Sequence, residues 1–131
     1  MLLIAAIGLM GAIGVLSLVP GEPLPGDSAL VWFVAETPAT VQNVMHVVCY
    51  AVLAALWMKW LSLSGSTRSR LLALTVAISY GALLEAGQLM VPGRFGSVSD
   101  ALLNALGAVA GVLILVRLSL VRDSDAVSPD S

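Results

Sequence analysis

Residues 80–94 read YGALLEAGQLMVPGR, an apolar run that carries an acid and an amide one helical turn apart and stops at a Pro-Gly-Arg turn. A helix through this stretch puts Gly81, Glu85 and Gln88 on one face by i, i+4, i+7 spacing. An ionisable group inside a bilayer costs roughly 2.5–3.5 kcal/mol at the centre on insertion scales and less near the interface, so it turns towards protein or trapped water. Whether this run is a membrane helix, and what its polar face meets, therefore decides the fold.

The rest of the chain answers the first question. Of its 131 residues, 59% are hydrophobic and 11% charged, with a mean hydropathy of +1.00; a soluble domain carries about 25% charged residues. Stretches 2–19, 38–61, 71–91 and 101–121 are each near the ~20 helical residues that cross a hydrocarbon core. These features predict an all-α, polytopic membrane protein: one four-helix transmembrane domain over residues 1–121, with a disordered cytoplasmic tail over residues 122–131. The first stretch reads as a retained span, because no Lys or Arg precedes it and no small-x-small cleavage site comes before Pro20. A net charge of −2 argues against nucleic acid as a partner, and membrane lipids are the default one. A lone cysteine, Cys49, excludes an intramolecular disulfide.

Basic residues set the expected orientation, since cytoplasmic connections are enriched in Lys and Arg. Lys59, Arg68, Arg70, Arg117 and Arg122 fall at one end of the four spans and only Arg94 at the other. Both termini are thus expected in the cytoplasm of a bacterial-type plasma membrane. The first outer loop holds the seven-residue run ALVWFVA at positions 29–35, too short to span and suited to lie in the interface with Trp32 as anchor. Thr37-Pro38 reads as a helix N-cap followed by proline at the first helical position.

Two other stripes match the one on residues 80–94. His46 and Tyr50 are spaced i, i+4, while Asp100, Asn104, Gly107 and Gly111 follow i, i+4, i+7, i+11. At 1.5 Å per residue all three stripes reach a similar outer depth. Pointing them at one another forms an outward pocket rimmed by Pro92-Gly93-Arg94, which removes three separate costs of facing lipid. Structural roles compete for several of these residues. Ser97 and Asp100 form an S-x-x-D helix-capping pattern, Gln88 and Asn104 suit interhelical hydrogen bonds, and the GxxxG at 107–111 suits packing on a neighbouring helix or a second copy. A metal bound by His46, Glu85 and Asp100 is chemically possible, but no H-x-x-x-H or comparable spacing supports it, so no metal and no cofactor is expected.

The segments HVVCY (46–50), YGALLEAGQLMVPGRFGSVSD (80–100) and NALGAVAG (104–111) together resemble the VanZ-like family, named for a membrane protein associated with teicoplanin resistance. The shared pattern falls on His46, Tyr50, Tyr80, Gly81, Glu85, Gln88, Pro92, Arg94, Asp100, Asn104, Gly107 and Gly111. Many members carry Asp-Lys four and three residues before the histidine; here those positions are Gln42 and Asn43. The ligand-binding candidates are His46, Tyr50, Tyr80, Glu85, Gln88, Arg94, Asp100 and Asn104. The resemblance implies a small envelope protein that engages a lipid-linked or peptidoglycan-related ligand, with Arg94 holding a carboxylate or phosphate. An intramembrane enzyme acting through Glu85, His46 and Asp100 is the alternative, and a small proton-coupled transporter the third reading. A homo-oligomer is compatible with all three.

Overall fold

Proline punctuates the chain. The computed structural model describes residues 1–61 and 67–127, with side chains through Ser124. Helix α1, Leu2–Leu18, stops ahead of Val19-Pro20, and a short helix α2, Ala29–Glu36, stops ahead of Thr37-Pro38. Helix α3 runs Ala39–Leu61, α4 Thr67–Gln88 and α5 Val98–Val127. The residue before a proline is driven out of the α region, which accounts for both early stops. Among the described residues there are no strands, and the all-α class holds.

Helices α3, α4 and α5 are long and apolar enough to cross a membrane. Helix α1 is apolar too, but its 17 residues extend only about 26 Å at 1.5 Å per residue, short of a ~30 Å core. Three long helices and one shorter apolar helix therefore stand where four spans were expected. The run 29–35, expected to lie in the interface, forms α2, with Trp32 and Phe33 exposed and Val34 buried.

Three boundaries differ from expectation. Thr37 Oγ1 donates back to the Phe33 carbonyl at 2.7 Å, so its hydroxyl closes α2 rather than opening α3. The start of α3 is instead organised on Pro38, whose carbonyl accepts the N–H groups of Val41 and Gln42. Helix α4 begins at Thr67, ahead of residue 71; the connection before it, 62–66, lies outside the described residues. Helix α5 continues to Val127, past the fourth span expected to end at residue 121, and 128–131 lie outside the described residues.

The most extensive contact is α5 on α3, and glycines make it. A Cβ at Gly107 would strike the backbone carbonyl of Val47, and one at Gly111 that of Ala51. Both pairs advance by four residues, so the GxxxG ridge lies along α3 of the same chain. Small side chains elsewhere, Ala54, Ala73, Ala77 and Ala108, are fully buried where helices approach. Leu83, Leu102 and Leu113 project outward, exposed, where a bilayer would solvate them. Helix α1 packs against α3 and α4.

Candidate functional site

The end of α1 creates the first demand. The last carbonyls of a helix have no partner within it, and in lipid each one left unsatisfied costs several kcal/mol. Arg94 meets this demand. Its Nε donates to the Val19 carbonyl and its Nη2 to the Leu16 carbonyl, both at 2.9 Å, and Gln88 Nε2 donates to the Ser17 carbonyl at 3.1 Å. Positive charge at a helix C-terminus is also favourable. Lying in the connection between α4 and α5, Arg94 has its pKa lowered by burial, with the nearby Glu85 carboxylate opposing that shift. Tyr80 likewise turns to α1, its hydroxyl donating to the Met10 carbonyl at 2.5 Å. Gly14, one turn on, makes room for it, since a Cβ there would lie 2.7 Å from that oxygen.

The connection after α4 folds back over the helix end. Gly93 takes φ +69°, which glycine adopts freely, and Gly96 lies so near the Glu85 carbonyl that a Cβ would collide with it. This return delivers the Ser97 N–H to Glu85 Oε2 at 2.9 Å. Ser97 Oγ accepts the Asp100 N–H at 3.2 Å, as an N-cap of α5 should. In a full capping box the acid three residues on would accept the cap's own N–H. Here Glu85 of α4 has taken that N–H, so the Asp100 carboxylate is released from the reciprocal bond.

The released carboxylate has neighbours. His46, Glu85 and Asp100 offer ligand atoms that all lie within 4.8 Å of one another. They come from α3, α4 and α5, and Glu85 is 7% exposed. Asn104, one turn below Asp100 and 1% exposed, meets His46 Nδ1 through Oδ1 at 2.8 Å. With that oxygen as acceptor, Nδ1 carries a proton, and in the neutral imidazole Nε2 presents a lone pair. The expectation of no metal rested on linear spacing, and a donor set gathered from three helices has none.

Two adjoining cavities complete the site. A polar chamber of about 250 Å³ is lined by His46, Asp100, Arg94, Gln88 and Gln42, with Gly21, Gly93, Phe95 and the α2 residues Val34 and Ala35. A slot of about 220 Å³ lies beside it, walled mainly by Ile13, Leu16, Phe33, Val41, Met45, Cys49 and Tyr50. Val34, Gln42, His46, Gln88 and Arg94 line both.

Of the eight candidates, His46, Glu85 and Asp100 form the cluster, and Asn104 touches it through His46. Gln88 and Arg94 line the chamber while bonded to α1, Tyr50 lines the slot, and Tyr80 points to α1 and lines neither. Sequence reasoning missed Gln42 and Val34 as lining residues. Gln42 was visible in principle, four residues before His46 on the same helix face, with its Nε2 on the Thr37 carbonyl at 2.8 Å. Val34 carried no signal, since nothing local tells which side of a short apolar helix turns inward.

These features define a small helical membrane protein with a polar chamber at one end of its bundle. The chain belongs to the VanZ/LLP1 family, whose family model matches residues 5–121. No curated protein and no solved structure matches it.

Proposed function

We propose that this protein holds an amphiphilic envelope molecule, a lipid-linked or peptidoglycan-related species, with its headgroup in the polar chamber and an apolar chain in the slot. The observation that carries this reading is the shared lining of the two cavities by Val34, Gln42, His46, Gln88 and Arg94. Binding sites for small molecules are commonly apolar with a few converging polar groups, and here the two characters are separated as they are in a lipid. The distribution of basic residues supports placing the chamber at the outer leaflet of a bacterial-type plasma membrane, with α1 as a fourth, shorter span and both termini inside. Two Arg94 nitrogens already serve α1, so headgroup contact falls to its Nη1 together with His46, Gln42 and Gln88. The cluster of His46, Glu85 and Asp100 favours a second reading, an intramembrane enzyme that uses these groups for proton transfer on the same headgroup.

In line with the family's name, occupancy of this site is proposed to reduce susceptibility to lipoglycopeptides such as teicoplanin, whose lipid tails bring them to the outer leaflet. Expression in a susceptible host should raise the inhibitory concentration of teicoplanin more than that of vancomycin, and Glu85→Gln should abolish the difference while inserting normally. Restoring charge with Gln42→Asp and Asn43→Lys should enlarge the parent effect. Unchanged teicoplanin susceptibility in both the parent and the restored chain would contradict the phenotype. Failure of native mass spectrometry to detect co-purified lipid would contradict the binding itself.

A further inference from the structure

The structure brings together a nitrogen and two carboxylates that the amphiphile reading does not require to be so close. We infer that His46, Glu85 and Asp100 bind one first-row divalent cation, Zn²⁺ or Mn²⁺, at the wall of the polar chamber. Four observations carry this. First, the three donor atoms lie within 4.8 Å of one another, and ligand distances of about 2.0–2.2 Å in a tetrahedral shell place donors roughly 3.3–3.6 Å apart. Only small side-chain adjustments separate the two geometries.

Second, each donor is held in a ligating state. Asn104 Oδ1 at 2.8 Å from His46 Nδ1 leaves Nε2 with its lone pair, the arrangement by which outer groups orient a metal-bound histidine. Ser97 N–H engages one Glu85 oxygen at 2.9 Å, and the other has no hydrogen-bond partner among the described residues. Asp100 has lost its capping bond to that same Ser97 N–H.

Third, the charges require balance. Two carboxylates at this separation repel in a low-dielectric setting, and Arg94, whose charge interacts with Glu85 at longer range, directs Nε and Nη2 to the carbonyls of Val19 and Leu16. Fourth, Asn104 is 1% exposed and its Nδ2 donor has no partner; a cation cannot accept from it, but an anionic oxygen or water brought in with the ion can. One imidazole with two carboxylates suits Zn²⁺ or Mn²⁺ better than Mg²⁺ or Ca²⁺, which prefer oxygen alone. Positions left open on the ion would face the chamber, where an anionic headgroup oxygen could complete them.

The full chain, purified in detergent and stripped with a chelator, should take up one equivalent of Zn²⁺ or Mn²⁺ after desalting, read by elemental analysis. Glu85→Gln and Asp100→Asn, which preserve side-chain shape, and His46→Ala should each weaken affinity by at least tenfold in competition with a chromophoric chelator. Asn104→Ala should weaken it about 10–100-fold, and the surface change Asp123→Asn should leave it unchanged. Co²⁺-loaded protein should show a visible absorption band that shifts in His46→Ala. Sub-stoichiometric metal in the parent chain, as expected if the carboxylates instead share a proton, would overturn the inference. Parent-like affinity in both Glu85→Gln and Asp100→Asn would do so as well, and equal loss in Asp123→Asn would mark adventitious binding. A chain that co-purifies with lipid but takes up no metal would sink this inference alone and leave the amphiphile reading standing.

Discussion

At the scale of single residues, polar side chains in this bundle divide between holding α1 and building the chamber. Tyr80→Phe removes one hydrogen bond to the Met10 carbonyl and should lower stability by about 1 kcal/mol. Arg94→Lys exchanges a planar fork that reaches two carbonyls for a single point charge and should cost about 1.5–3 kcal/mol. Thermal unfolding in detergent checks both, and an Arg94→Lys midpoint equal to the parent's would show that α1 does not depend on this clasp. The sequence alone showed that Glu85 must face protein, because nothing on its own helix neutralises it. It could not show which donor Glu85 would find, because the Ser97 N–H arrives only through a chain reversal at Gly93 and Gly96. For the same reason the S-x-x-D pattern left Asp100 undecided between cap and site, and Glu85, twelve positions before Ser97, resolved it.

At the scale of elements, glycine position decides packing. Gly107→Val and Gly111→Val place carbon against the backbone of Val47 and Ala51, which cannot rotate away as a side chain would, so α5 must shift off α3. Each should destabilise by about 1–3 kcal/mol or more and reduce the monodisperse fraction in size-exclusion chromatography after mild heating. Gly8→Ala and Gly11→Ala meet nothing within 4 Å and should elute as the parent does; a Gly107→Val chain that also does so would contradict the α3–α5 interface. Helix existence was legible from hydropathy, and the breaks at Pro20 and Pro38 from proline. The direction of Thr37 was not, because a threonine between two helices can serve either one. The length of α5 was underestimated because the apolar run stops at residue 121, whereas a helix can continue through polar residues.

At the scale of the whole molecule, the end of α1, the start of α3, the end of α4 and the start of α5 meet at one end of the bundle, with α2 beside them. The chamber exists because of that convergence, and the opposite end carries the basic residues Arg68, Arg117 and Arg122. Polar stripes on residues 46–50, 80–88 and 100–111 made the meeting legible, while the apolar slot was not, since its walls come from α1, α2 and α3 residues of ordinary lipid-like character. The central claim is that this chamber opens outward. In a Cys49→Ser background, Asp100→Cys and Arg122→Cys chains are treated in intact cells with a small, membrane-impermeant thiol reagent. The account predicts modification of the Asp100→Cys chain in intact cells and of the Arg122→Cys chain only after permeabilisation; modification of Arg122→Cys in intact cells, with Asp100→Cys untouched, would contradict it.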